Sequence, residues 1–156
     1  MVQQHDVRHA VSAAIRRDDG LVLAVRRPDE PPPEADLPLA EGEELPGVWG
    51  LPAVTLRDGE SPEEGVRRIG REKLGVELTP LRPLAEGEQS RAGYTLRMTV
   101  YEASLAGEPR LPPRDVNTGV TLYDALDWLP ASAFREAADR GSLCCALFLQ
   151  ARAVDE

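Results

Sequence analysis

Between Gly59 and Val76 the chain concentrates ionisable residues at helical spacing: Glu60, Glu63, Glu64 and Glu72 are interspersed with Arg67, Arg68, Arg71 and Lys73. Glu64, Arg68 and Glu72 stand four apart, so on a helix they form a ladder of ion pairs worth about 0.3–0.5 kcal/mol each. Elsewhere Arg8, Arg26, Arg27 and Arg97 offer planar forks that suit phosphate, and Trp49 and Tyr94 offer rings on which a base can stack. Taken singly, each of these is more ordinary as a surface ion pair or a core aromatic. Cys144 and Cys145 are the only cysteines. Adjacent in an apolar stretch, they read as buried, inert thiols, because neighbours in sequence bridge only with strain. His5 and His9 have no third ligand near them and read as solvent-facing strand residues.

A helix is expected to position the charged segment. Ser61 can cap its free amides, Pro62 suits the first helical position, Glu63 and Glu64 face the positive end of the dipole, and Gly75 ends it. Upstream, Val7–Arg16 and Leu21–Arg27 flank the turn signal Asp18-Asp19-Gly20 and read as a hairpin. Gly47–Pro52 and Val54–Leu56 read as short extended pieces, the latter followed by the turn Arg57-Asp58-Gly59. Downstream, Val76–Leu78, Leu81–Glu86 and a long strand Tyr94–Leu105 are expected, then a last strand Thr118–Leu122. A Trp-Leu-Pro turn at Trp128 leads into helical pattern, and a final helix runs from Ser142 to about Ala153.

The length of 156 residues suits a single domain spanning 1–156. Net charge is −9, which argues against coating nucleic acid or an anionic membrane. Seven acids and six prolines lie between Pro28 and Pro46 with no basic residue, so this segment carries −7 of the charge. It reads as an exposed loop within the domain, placed to gate or shield a pocket. The other charges nearly balance. Lys73 is the only lysine among eighteen basic residues, the rest being arginine. The polar N-terminus lacks a secretory layout and no apolar run is long enough to span a membrane, so a cytoplasmic protein is expected.

The run Gly59-Glu60-Ser61-Pro62-Glu63-Glu64-Gly65-Val66-Arg67-Arg68-Ile69-Gly70-Arg71-Glu72-Lys73-Leu74-Gly75-Val76 resembles the box of the Nudix hydrolase superfamily, of which MutT-like proteins are members. Anchored on Gly75 and Val76, the match places Glu60, Arg68 and Glu72 without a gap on the signature's first glutamate, its arginine and the first of its paired glutamates. A Gly-x-Trp-x-x-Pro run before the box and a Trp-Leu-Pro run before the last helices also resemble the family, so the likeness covers roughly Val7 to Leu149. It implies an α/β (α+β) fold, an α/β/α sandwich with a mixed central β-sheet. It also implies cleavage of a pyrophosphate bond in a nucleoside diphosphate linked to another moiety. Mg²⁺ or Mn²⁺ would assist, with Glu72 as metal ligand, Glu60 and Glu72 as catalytic residues, and Arg68 and Gly75 as structural members of the motif. A nucleotide-like ligand and a homodimer are the partners it implies.

The chain also departs from the signature. Ala53 and Val54 stand where the family has paired glycines, and Gly70 where it has an apolar residue. Ile69 and Lys73 stand at two of the three expected metal-binding glutamates. On an α-helix, positions 69, 72 and 73 share a face, so three glutamates there would converge on a metal. One carboxylate beside an ammonium is a poorer nest. Replacement carboxylates at Glu63, Glu108, Asp115 or Asp124 are the remaining candidates. Two readings stay open: a hydrolase, and a non-catalytic module of the same fold that binds a nucleotide-like ligand or a protein partner.

Overall fold

The computed structural model describes residues 6–26, 48–91, 94–111, 123 and 125–155. The acidic segment 28–46, the expected strand Thr118–Leu122, and His5, Arg27, Asp115 and Asp124 lie outside these. Among the described residues the strands are β1 (Asp6–Ile15), β2 (Val22–Arg26), β3 (Trp49–Gly50), β4 (Ala53–Thr55), β5 (Glu77–Arg91), β6 (Tyr94–Ala106) and β7 (Ala125–Leu129). The helices are α1 (Pro62–Arg68), which runs on as a π-helical turn over Ile69–Leu74, then α2 (Arg135–Asp139), preceded by a 3₁₀ turn over Ala131–Phe134, and α3 (Leu143–Asp155).

The central sheet has the order β4-β1-β6-β5, and a second sheet the order β3-β2-β7. β1 runs parallel to β6 over ten paired residues and antiparallel to β4, so the central sheet is mixed. β1 alternates between two cores. Val11, Ala13 and Ile15 join Val66, Ile69 and Leu74 on the α1 side, while Ala10 and Ala14 join Phe134 and Phe148 on the α2–α3 side. The period of two in a strand makes this possible, and the result is the expected sandwich with helices on both faces. Phe134 and Phe148 meet edge to face at 5.6 Å.

The hairpin expectation needs correction. β1 and β2 exist, but they enter different sheets; their side chains share both cores, while their backbones are joined by a single antiparallel bridge, Arg16 to Val22. β6 takes one edge of β1 along its whole length and β4 takes the other at Ala10–Ser12, so only the end of β1 is left to meet β2. The two extended pieces after Gly75 are one strand, β5, broken in register between Pro80 and Arg82 and between Pro83 and Ala85. Prolines and bulges are tolerated there because β5 is an edge strand. Trp128 and Leu129 lie in β7, paired with β2, so the chain turns at Pro130 and not before it.

The start of α1 is as expected: the Ser61 hydroxyl accepts from the Glu64 N–H at 3.2 Å. Its end is not a regular α-helix. Gly75, in the left-handed region at φ 65°, closes the π-turn with its N–H on the Gly70 carbonyl. Gly70 fits because a Cβ there would lie 2.6 Å from the Val76 carbonyl oxygen and 2.8 Å from Leu78 Cγ. The turn thus lies directly against the start of β5. Gly70→Ala is expected to cost about 1–3 kcal/mol in urea unfolding, despite alanine's better helix propensity, since backbone has to move. An unchanged or raised midpoint would show that the turn has room to spare.

Candidate functional site

The box residues gather around one guanidinium. Arg68 donates from Nε to Glu60 Oε2 at 2.9 Å and from Nη2 to Glu60 Oε1 at 2.8 Å. Nη2 also reaches the Thr55 carbonyl at 2.7 Å. Glu60 Oε1 further accepts the Arg57 N–H at 3.0 Å. The pair is nearly buried, with side-chain exposures of 9% and 11%. The Arg68 hydrogen bonds hold the Glu60 carboxyl below the usual range, and Glu60 in turn raises the Arg68 guanidinium further. Helix α1, the 56–60 loop and the end of β4 are therefore tied at one point.

Glu72 lies at the edge of this cluster, its side chain 39% exposed. Its Oε1 is 3.7 Å from Arg68 and its Oε2 is 3.5 Å from Arg57 Nη2. Each carboxylate oxygen therefore faces a guanidinium. Glu64 does not extend the expected ladder toward Arg68; its carboxylate takes the Ser61 hydroxyl at 3.1 Å.

Positions 69, 72 and 73 are not presented together, in contrast to an α-helical face. Ile69 is fully buried in the core on the α1 side, Lys73 is 2% exposed, and Glu72 alone reaches the surface. Two causes act together: the π-turn changes the phase of the helix, and an isoleucine at 69 belongs in the core. Burial lowers the Lys73 ammonium to about 8, with nearby Glu72 opposing that shift and Arg68 adding to it.

Of the proposed replacement carboxylates within the described residues, Glu63 is engaged elsewhere and Glu108 is exposed beyond β6. The Tyr101 hydroxyl donates to Glu63 Oε1 at 2.7 Å. This lowers the Glu63 carboxyl, while burial and Glu63 together push Tyr101 up to about 12. The candidate ligand-binding residues are scattered. Arg97 pairs with Glu88 at 2.7 Å across β5 and β6, and Arg8 covers the Tyr94 ring at 4.4 Å. Trp49 packs against the α2–α3 core. His9 is exposed on β1, and both cysteines are buried, with Cys145 raised well above the usual thiol range by Cys144 and by burial.

Sequence reasoning overlooked Arg57 and Tyr101. Arg57 had a signal, since it opens the Arg57-Asp58-Gly59 turn three residues before Glu60, close enough for its N–H to meet that side chain. Tyr101 had none, because its contact with Glu63 joins residues far apart in the chain.

The NUDIX domain family profile matches residues 6–143, and the chain belongs to that family. A MutT NUDIX hydrolase from Burkholderia pseudomallei is 27% identical, covers 90% of this chain and 100% of its own, and superposes with a TM-score of 0.61. A NUDIX hydrolase from Nitrosomonas europaea shares the fold at 17% identity, with 96% and 90% coverage and a TM-score of 0.69. An ADP-ribose pyrophosphatase from Streptococcus suis does so at 17% identity, with 80% and 75% coverage and a TM-score of 0.55. No protein of curated function matches the sequence.

Nudix hydrolases generally use divalent metal ions. The described residues of this box do not fit one. Glu72 is the sole carboxylate left at the three helix positions, it is flanked by two guanidiniums, and a buried lysine follows it in sequence. Among the described residues no group of three His, Cys, Asp or Glu side chains is placed to hold a metal ion. Magnesium requires several oxygen ligands, and fixed positive charge beside the site opposes a cation.

The buried lysine has a measurable signature. Its folded value lies below that of the unfolded chain, so between about pH 8 and 10.5 the unfolded state holds the extra proton and stability from this group rises with pH. The stability difference between the wild type and Lys73→Met is therefore expected to move in favour of the wild type as pH rises from about 8 toward 10.5. Comparing the two proteins cancels the opposite trends of Cys145 and Tyr101. A gap that stays constant with pH would mean that the ammonium is solvated in the folded protein.

Proposed function

We propose that this Nudix protein recognises a nucleoside diphosphate linked to another moiety and that its box does not carry out metal-assisted cleavage. The observation that carries the reading is the pairing of Glu72 with Arg57 and Arg68 while Ile69 and Lys73 are buried. Hydrolysis of a pyrophosphate requires charge neutralisation at the phosphoryl oxygens and an activated water, and carboxylate-held metals supply both. One carboxylate with two guanidiniums beside it supports a retained loop–helix scaffold without such a nest. The neighbouring ADP-ribose pyrophosphatase fold supports ADP-ribose as one compound of this class to test.

A second reading, hydrolysis with Mg²⁺ or Mn²⁺ held partly by Glu72, is favoured by one feature. Glu60, Arg68 and Glu72 keep an ungapped spacing and converge within hydrogen-bonding or ion-pair distance. A panel of nucleoside triphosphates, ADP-ribose, dinucleoside polyphosphates and sugar nucleotides separates the two. Thermal stabilisation by at least one compound, without product and without dependence on either metal, is the expected result. Metal-dependent product release that is lost in Glu72→Gln would establish the hydrolase instead.

A further inference from the structure

We infer that Arg57 replaces the metal ion as the positive charge that meets a ligand's diphosphate. This rests on the family-level reading that the box faces the ligand, and it follows from the mismatch between box and metal. Arg57 is 67% exposed, and its guanidinium reaches Glu72 Oε2 at 3.5 Å, a long contact. Exposed pairs of this kind contribute about 0–1 kcal/mol, so the guanidinium separates from Glu72 at little cost. Its backbone is fixed independently, because the Arg57 N–H is held by Glu60, which is itself held by Arg68. The side chain is thus a movable fork on an anchored base. Arg68, by contrast, is committed to Glu60 and Thr55 and nearly buried, so it is not free to turn outward. A guanidinium recognises paired phosphoryl oxygens through two parallel hydrogen bonds, which gives it both charge and direction for a diphosphate. Glu72 then acts as a competitor for Arg57 in the unliganded protein, the reverse of a ligand to a cation.

The test uses the full chain with inorganic pyrophosphate as the probe, in excess EDTA, by titration calorimetry. Binding is expected without any divalent ion, weakened at least fivefold by Arg57→Ala and equal or tighter in Glu72→Gln. Thermal melts check that Arg57→Ala folds, as its exposure and retained backbone hydrogen bond require. No pyrophosphate binding in EDTA, or binding that appears only with Mg²⁺ and vanishes in Glu72→Gln, would overturn the inference. Binding that Arg57→Ala leaves unchanged would do the same. If ADP-ribose or another compound of the panel bound while pyrophosphate did not, this inference alone would fail; if nothing bound, the broader reading would fail with it.

Discussion

The Arg68 guanidinium is the joint on which the box depends. It satisfies both oxygens of a nearly buried Glu60 and the terminal carbonyl of β4, so helix, loop and sheet meet in one hydrogen-bonded group. Removing one member of such a pair leaves an uncompensated buried charge, at a cost of about 3–5 kcal/mol. The 56–60 loop is held besides by the Leu56 N–H on the His9 carbonyl, by the Glu60 N–H on the Arg57 carbonyl, by the long Arg57–Glu72 contact and by Leu56 packing against the core on the α1 side. Arg57, Glu72 and the start of α1 take their positions from this joint.

That dependence separates two roles within one motif. Glu60 and Arg68 tie the loop to the helix in this chain through two hydrogen bonds. Positions 69 and 73, where the signature carries metal-binding glutamates, follow ordinary packing rules here: isoleucine joins the core, and lysine is buried at a penalty seen in its lowered ionisation. Glu72 remains exposed between two arginines. At this site two guanidiniums face a single carboxylate.

Part of this is legible in the sequence. The Ser61 cap and the Gly75 stop rest on local chemistry written in a short stretch of sequence, whereas the main partner of Arg68 does not: the four-residue spacing pointed to Glu64, and the guanidinium takes Glu60 across the turn instead. Strand partners are not legible there either. The Asp18-Asp19-Gly20 turn correctly separates β1 from β2, but whether they pair depends on β4 and β6, which compete for the same edges of β1. The π-turn was equally hidden, since it depends on how closely Gly70 approaches Val76 and Leu78. Its consequence for function is direct: helical periodicity predicted one shared face for 69, 72 and 73, and the wider turn buries two of them.

The central claim, that this Nudix box no longer holds a metal, is tested most directly by titrating Mg²⁺ and Mn²⁺ into the protein by calorimetry, with Glu72→Gln as the reference. The account predicts no saturable heat below millimolar concentration and identical traces for the two proteins. A saturable site in the wild type that Glu72→Gln abolishes would contradict it.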